Sequence, residues 1–188
     1  MDDIDKRIIS RLQEDGRITL SSLGRLVGLS HVGIRARLRR LLSDGTIRIS
    51  AGLNAGKLDI KTAVVFVEAE SFERLSELVE TFKDCPRLVF MSTLMGAHNL
   101  VAVVAAEDPA TLESMVIGTC SLRSQRGIRR SDAHVSESLI FPPYLPIRLA
   151  VDRNMDIAPC RIRCDQCERY RDDKCLACPA TRFYRGPL

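Results

Sequence analysis

Seven cysteines are present, and Cys160, Cys164, Cys167, Cys175 and Cys178 fall within nineteen residues near the end of the 188-residue chain. Their spacing is C-x3-C-x2-C-x7-C-x2-C. Two C-x2-C pairs suit a tetrahedral four-cysteine zinc site, because each pair presents two soft thiolates from one tight knuckle. Cys164, Cys167, Cys175 and Cys178 are the expected ligands of a structural zinc ion, with Cys160 as an additional thiol. An iron–sulfur cluster that recruits Cys160 is the alternative cofactor. A metal-free thiol switch is a third reading, since neighbouring arginines lower a thiol's pKa. Arg169, Arg171, Lys174 and Arg182 would offset the charge of a tetrathiolate centre. The tail is too small and too polar to fold on apolar burial alone, so a metal would supply its stability. Cys85 and Cys120 stand apart in sequence and read as core or surface thiols.

A second set of residues has the chemistry to neutralise phosphates. Arg35, Arg37, Arg39 and Arg40 follow closely on Gly28-Leu29-Ser30. The elements that position them can be read from apolar spacing. Ile4, Ile8, Ile9 and Leu12 mark a first helix that Gly16 can close. Leu23, Leu26 and Val27 mark a second, opened by Ser21 or Ser22. Gly28 permits the tight turn, and Ser30 caps a third helix whose buried stripe is Ile34, Leu38, Leu41 and Leu42, ending near Gly45. Val32, Gly33, Ala36, Arg39 and Arg40 face away from that stripe, Arg35 and Arg37 flank it, and Ser30 and His31 stand at the helix start as further candidate DNA contacts. Small residues at the N-terminal end let a backbone approach base edges in a major groove, and arginines further along reach phosphate or guanine. Ile47, Ile49 and Leu53 are expected to form a wing strand, with Arg48 turned toward the phosphates. The partner this arrangement suits is double-stranded DNA.

Charge divides the chain. Residues 1–50 carry ten Lys/Arg against six Asp/Glu, residues 51–141 nine against twelve, and residues 142–188 nine against six. A nucleic-acid footprint therefore belongs to the N-terminal part, with a different task for the acidic centre. No secretory segment or run of 18 apolar residues occurs, so a cytoplasmic protein without a membrane partner is expected.

After a connector over 51–61, strands are predicted at Thr62–Glu68, Arg87–Thr93, Leu100–Ala106 and Ala133–Ile140. Helices are predicted around Phe72–Phe82 and after Pro109, which suits a helix N1 position. The order βαββαβ is the ferredoxin-like arrangement. Two helices cover one face of such a sheet, and the other face needs a partner, so a homodimer is expected. The expected fold class is α+β. A winged helix-turn-helix over 1–50 precedes the linker and a ferredoxin-like effector-binding and oligomerisation domain over 62–141. A Pro-containing connector and Cys-rich module follow over 142–188, starting with the stiff Pro142-Pro143-Tyr144-Leu145-Pro146.

Local signatures make the pattern specific: Asp5-Lys6-Arg7-Ile8-Ile9, Asp15-Gly16-Arg17, Val27-Gly28-Leu29-Ser30, Arg37-Leu38-Arg39-Arg40-Leu41 and Asp44-Gly45-Thr46-Ile47. With the domain order, they make residues 2–141 resemble the Lrp/AsnC ("feast/famine") transcription regulators. That resemblance implies DNA binding by dimers that assemble further, usually to octamers, with small-molecule effectors, mostly amino acids, held between C-terminal domains. Members of that family commonly carry Gly-x-x-Asp beside the effector pocket. Here the turn reads Gly96-Ala97-His98-Asn99, and asparagine cannot offer a ligand ammonium a full negative charge. Gly96, His98 and Asn99 are the candidate effector residues, with an effector other than an amino acid in view. His98 also reads as a plain polar turn residue, and His31 and His134 as surface or structural residues.

A sequence-specific transcription regulator, controlled by an effector or by metal or redox state, is the leading reading. Similar folds resemble siroheme decarboxylases, which makes an enzyme the alternative, but no acid/base pair or nucleophile motif is visible. A sensor acting through protein partners without DNA is the remaining reading.

Overall fold

A computed structural model describes residues 1–188 as two compact units, Met1–Ala51 and Gly52–Leu188. The first unit holds α1 (Asp3–Glu14), α2 (Leu20–Val27) and α3 (His31–Ser43). Its core is Ile8, Leu23, Val27, Ile34 and Leu41, one residue or two from each helix, with Ile4, Leu12, Leu29 and Ile47 packed around them. Each of these three helices starts on a side-chain cap, which supplies a partner for amides that have none within the helix. Asp2 and Asp5 form a reciprocal capping box on α1. Thr19 caps α2, not the expected Ser21 or Ser22; its hydroxyl accepts from the Ser22 amide at 3.1 Å. Ser30 caps α3 through the Gly33 amide at 3.2 Å. Gly28 ends α2 with a left-handed φ of 78°, the conformation a glycine tolerates without strain.

Three expectations for this unit are corrected. Leu26 and Leu42 are 48% and 42% exposed and lie off the buried stripe. Residues 46–52 form no strand, so there is no wing; Ile47 instead packs on the helical core and Arg48 is exposed on an irregular segment. Leu53 belongs to the second unit, in the short β1 (Leu53–Asn54), which pairs with β6 (Tyr144–Leu145). The Pro-containing segment after residue 141 supplied that partner, which no local pattern announces.

The second unit is built on β2 (Lys61–Ala69), α4 (Phe72–Phe82), β3 (Leu88–Thr93), β4 (Leu100–Ala106), α5 (Pro109–Ile117) and β5 (Ile128–Val135). The antiparallel sheet runs β3-β4-β2-β5, the ferredoxin-like order. Period-two alternation sends Ala63, Val65 and Val67 of β2 and Leu100, Ala102 and Val104 of β4 to one face. There they bury against Leu75, Leu78 and Phe82 of α4 and Leu112, Met115 and Val116 of α5. The opposite face carries Val64, Phe66, Val101 and Val103, each half-buried, and the exposed Phe90. At one edge of that face Ala105 joins a second small core with Ile60, Leu145, Ile147 and Leu149.

The last strand of the sheet lies earlier than expected, at Ile128–Val135 rather than Ala133–Ile140. Beyond it the chain has little regular structure: the short β6, one short helix, α6 (Glu168–Arg171), and a 3₁₀ turn at Cys164–Gln166.

Candidate functional site

The arginines of α3 separate into two kinds. Asp5, on the first turn of α1, is buried, with a side chain only 1% exposed. Arg37 reaches it at 2.8 Å and also meets Asp2 at 2.6 Å, and Arg40 binds its other oxygen. Burial alone would push the Asp5 carboxyl up, but the Asp2 amide and the two guanidinium groups together hold it down at about 2. Asp2, Asp5, Arg37 and Arg40 thus form a charged clamp that fixes α3 to α1. Arg37 and Arg40, grouped with the DNA-facing residues on sequence, are tied to carboxylates of α1, although Arg40 stays 55% exposed.

Arg35, Arg39 and Arg48 are exposed and take part in none of the salt bridges. His31, Val32 and Ala36 are exposed beside them, with Val32 at 75%. Gly33 is half-buried, and its amide donates to Ser30 Oγ. The surface of α3 is therefore small and apolar at its start and cationic one to two turns on. That is the profile of a helix able to enter a major groove. Gly24 permits the angle between α2 and α3: a Cβ at this position would stand 2.6 Å from the Leu29 carbonyl oxygen.

In the second unit, the candidate effector residues lie on the β3–β4 turn. Asn99 accepts from the Ala69 amide at 2.8 Å and donates to the Ala69 carbonyl at 2.9 Å, so both ends of its side chain are committed to β2. Gly96 is exposed with φ 153°. His98 stands over the open sheet face, its ring 5.7 Å from that of Phe66. Its Nε2 is 2.9 Å from Asp132 Oδ2, close enough for an ion pair but without hydrogen-bond alignment. His134 flanks the other side of Phe66 at 6.2 Å.

The cysteine tail packs on α5 and on the start of β3. Ser114 donates to the Lys174 carbonyl at 2.8 Å and accepts from Arg169 Nε at 2.6 Å, while Thr111 Oγ1 accepts from the Leu176 amide at 3.0 Å. Arg87, buried at the head of β3, makes a bidentate pair with Glu107 at 2.8–3.0 Å and donates to the Ala177 carbonyl. The buried Tyr184 donates to the same Glu107 and stacks under Arg87.

Between tail and sheet domain lies a cavity of about 40 Å³, and all seven cysteines line it. Cys85 and Cys120, which stand apart in sequence, complete the ring begun by Cys160, Cys164, Cys167, Cys175 and Cys178. All seven are free thiols. The rest of the wall is nearly apolar, including Met115, Ala158 and Ala177. Its one cation is Arg87, which sequence reasoning overlooked. Arg169, Arg171, Lys174 and Arg182, expected to balance the thiolates, go instead to Glu113, the Asp165 carbonyl, Asp172 and Asp156. No three thiol, imidazole or carboxylate groups are drawn together as they would be around a single ion. Burial pushes the Cys160 thiol up to about 11 and Cys178 up to about 12, against the lowering expected from neighbouring arginines. A bound cation would displace their protons.

The helix-turn-helix with its cationic third helix, together with a ferredoxin-like sheet domain, defines a DNA-binding regulator. Residues 1–42 match the model of the AsnC-type helix-turn-helix domain. An uncharacterized HTH-type transcriptional regulator of Pyrococcus horikoshii, PH0140, is 32% identical over 119 residues, 62% of this chain and 75% of that protein. The solved AsnC family transcriptional regulator from Agrobacterium tumefaciens superposes with a TM-score of 0.62 at 26% identity, over 74% of this chain and 92% of that one. The regulator NMB0573 of Neisseria meningitidis, solved as an L-Met complex, shares the fold with a TM-score of 0.63 at 22% identity, over 74% and 92% of the two chains. The chain belongs to the Lrp/AsnC family of helix-turn-helix transcriptional regulators: it binds DNA to regulate transcription and is not an enzyme. No helix is long and apolar enough to cross a membrane.

Proposed function

We propose that α3 is the element that reads DNA, with Val32 and Ala36 against base edges and Arg35 and Arg39 on guanine or phosphate. Ser30, His31 and Gly33 bring the helix start close to the groove, and Arg48 contacts the backbone. The observation that carries this assignment is the split among the arginines. Arg37 and Arg40 are paired with the buried Asp5, whereas Arg35 and Arg39 have no carboxylate partner and are exposed on the face that also presents Val32 and Ala36.

The working species is a homodimer that assembles further, formed through the open apolar face of the sheet around Val64, Phe66 and Val101. Two copies of α3 then meet successive major grooves of a roughly palindromic site. A small-molecule effector acts at the β3–β4 turn beside Gly96. Because Asn99 is committed to Ala69, His98 and Asp132 are the polar groups left to receive it. The L-Met complex of the similarly folded Neisseria regulator supports a ligand role for such domains. The cysteine module is a thiolate-bound metal centre, zinc or iron–sulfur, that fixes the tail and supplies a second input.

The test is DNA affinity against salt for the full chain on a selected operator. Arg39→Ala should weaken binding and reduce the slope of log K against log salt by about 1, the loss of one phosphate contact. An unchanged slope for both Arg35→Ala and Arg39→Ala would remove this face from the interface.

A further inference from the structure

The seven cysteines form one site, although two of them belong to the sheet domain and five to the tail. A zinc ion takes four thiolates at about 2.3 Å, which draws their sulfurs together around a point. Here the thiols number more than four, and no three of them close on a point. They stand around a volume of about 40 Å³. A polynuclear cluster places its own iron and sulfide atoms between the thiolates, so its ligands need not close on one point. The donors are of one kind, since neither imidazole nor carboxylate enters the wall, and an all-thiolate set selects soft centres.

One of the sulfurs already has a polar neighbour from the sheet domain: Thr119 Oγ1 lies 3.8 Å from Cys167 Sγ. Hydrogen bonds to ligand sulfur are a main lever by which a protein stabilises an iron–sulfur centre. Met115, Ala158 and Ala177 keep the surroundings dry, and Arg87, already paired with Glu107, supplies a nearby positive end.

We infer that this cavity holds an iron–sulfur cluster ligated from both sides, by tail thiolates and by Cys120 and Cys85 of the sheet domain, so that the cluster fastens the tail to α5 and β3. This deepens the reading of the cysteine module as a metal centre and does not depend on how the protein meets DNA. Cys120 sits just past α5, and Cys85 just ahead of β3. Loading or loss of the cluster would therefore be felt by the elements that form the sheet's covered face.

The experiment is metal and acid-labile sulfide analysis, with a visible spectrum, of the full chain purified without oxygen. It is repeated after reconstitution with ferrous iron plus sulfide, and after Zn²⁺ alone. About four iron and four sulfide per chain are expected, with a broad visible band bleached by dithionite. Cys120→Ala and Cys85→Ala should each lose most of the bound iron while keeping the wild-type far-ultraviolet circular dichroism. Should Cys85→Ala unfold, Cys120→Ala, at the less buried position, decides. One tightly held zinc per chain with no visible band would overturn the cluster and leave a metal centre. A folded protein that takes up neither metal would overturn both. Full iron in both variants would overturn ligation from the sheet domain.

Discussion

Asp5 shows how one carboxylate separates structural from functional arginines. It lies 32 residues from Arg37 and 35 from Arg40, yet its two oxygens hold both. Arg37→Ala should lower the melting temperature of the helical unit while changing the salt slope of DNA binding little, the reverse of Arg39→Ala. A salt slope that falls as far for Arg37→Ala as for Arg39→Ala would contradict the clamp. Acid stability follows from the same group. Its folded carboxyl sits at about 2, well below the ordinary aspartate range. A depressed carboxylate contributes stability that is complete above its unfolded pKa and fades as pH falls from the ordinary carboxylate range toward about 2. The helical unit should accordingly lose melting temperature through that window, and Asp5→Asn, already weaker at neutral pH, should show a flatter acid limb. Equal acid limbs for the two proteins would assign the loss to other carboxylates.

At the scale of elements, the turn between α2 and α3 sets the angle at which the reading helix is offered. The amides of Gly28 and Leu29 both donate to the Gly24 carbonyl at 2.9 Å, and the Leu29 carbonyl lies against Gly24. Gly24→Ala gains about 1 kcal/mol of helix propensity, but its Cβ would meet backbone at 2.6 Å. The clash dominates, with a net loss of about 1–3 kcal/mol expected in chemical denaturation and weaker DNA binding as α3 tilts. A stabilised variant would show that the turn can relax. Strong periodicity made most elements legible: α4, β4 and α5 stand where apolar spacing and Pro109 put them. The failures are physical. Strand β5 is an edge strand whose outer face carries Arg130, Asp132 and His134, so alternation there is weak, and the apolar Leu139 and Ile140 drew the expected strand forward. The supposed wing combined Ile47, which serves the helical core, with Leu53, whose partner Leu145 lies far along the chain. The thiol site was half legible. Close spacing exposed the tail cysteines, but nothing local marks Cys85 and Cys120 as facing them.

Across the second unit as a whole, the tail is held by a charged network that a metal would reinforce without replacing. Arg87 and Glu107 are each almost fully buried, and Arg87 also satisfies the Ala177 carbonyl of the tail. Glu107 in turn accepts from Tyr184, whose phenol is pushed up by its burial beside that carboxylate. Removing one ion of a buried pair leaves the other without compensation, which costs about 3–5 kcal/mol. Arg87→Met should destabilise the second unit on that scale in urea denaturation, stranding Glu107 and freeing the Ala177 carbonyl. Replacing both ions by apolar residues of similar volume removes the stranded charge, so Arg87→Met with Glu107→Leu should recover much of the loss. The recovery will stay incomplete because the Tyr184 hydroxyl and the Ala177 carbonyl then lack partners, each a desolvation cost of about 1–3 kcal/mol. Additive losses in the two single variants would mean that the pair does not act as a unit. Tail docking would then rest mainly on α5, through Ser114, Thr111 and Glu113. A coupling of several kcal/mol would place the head of β3 at the centre of tail docking, next to the cavity that Cys85 lines.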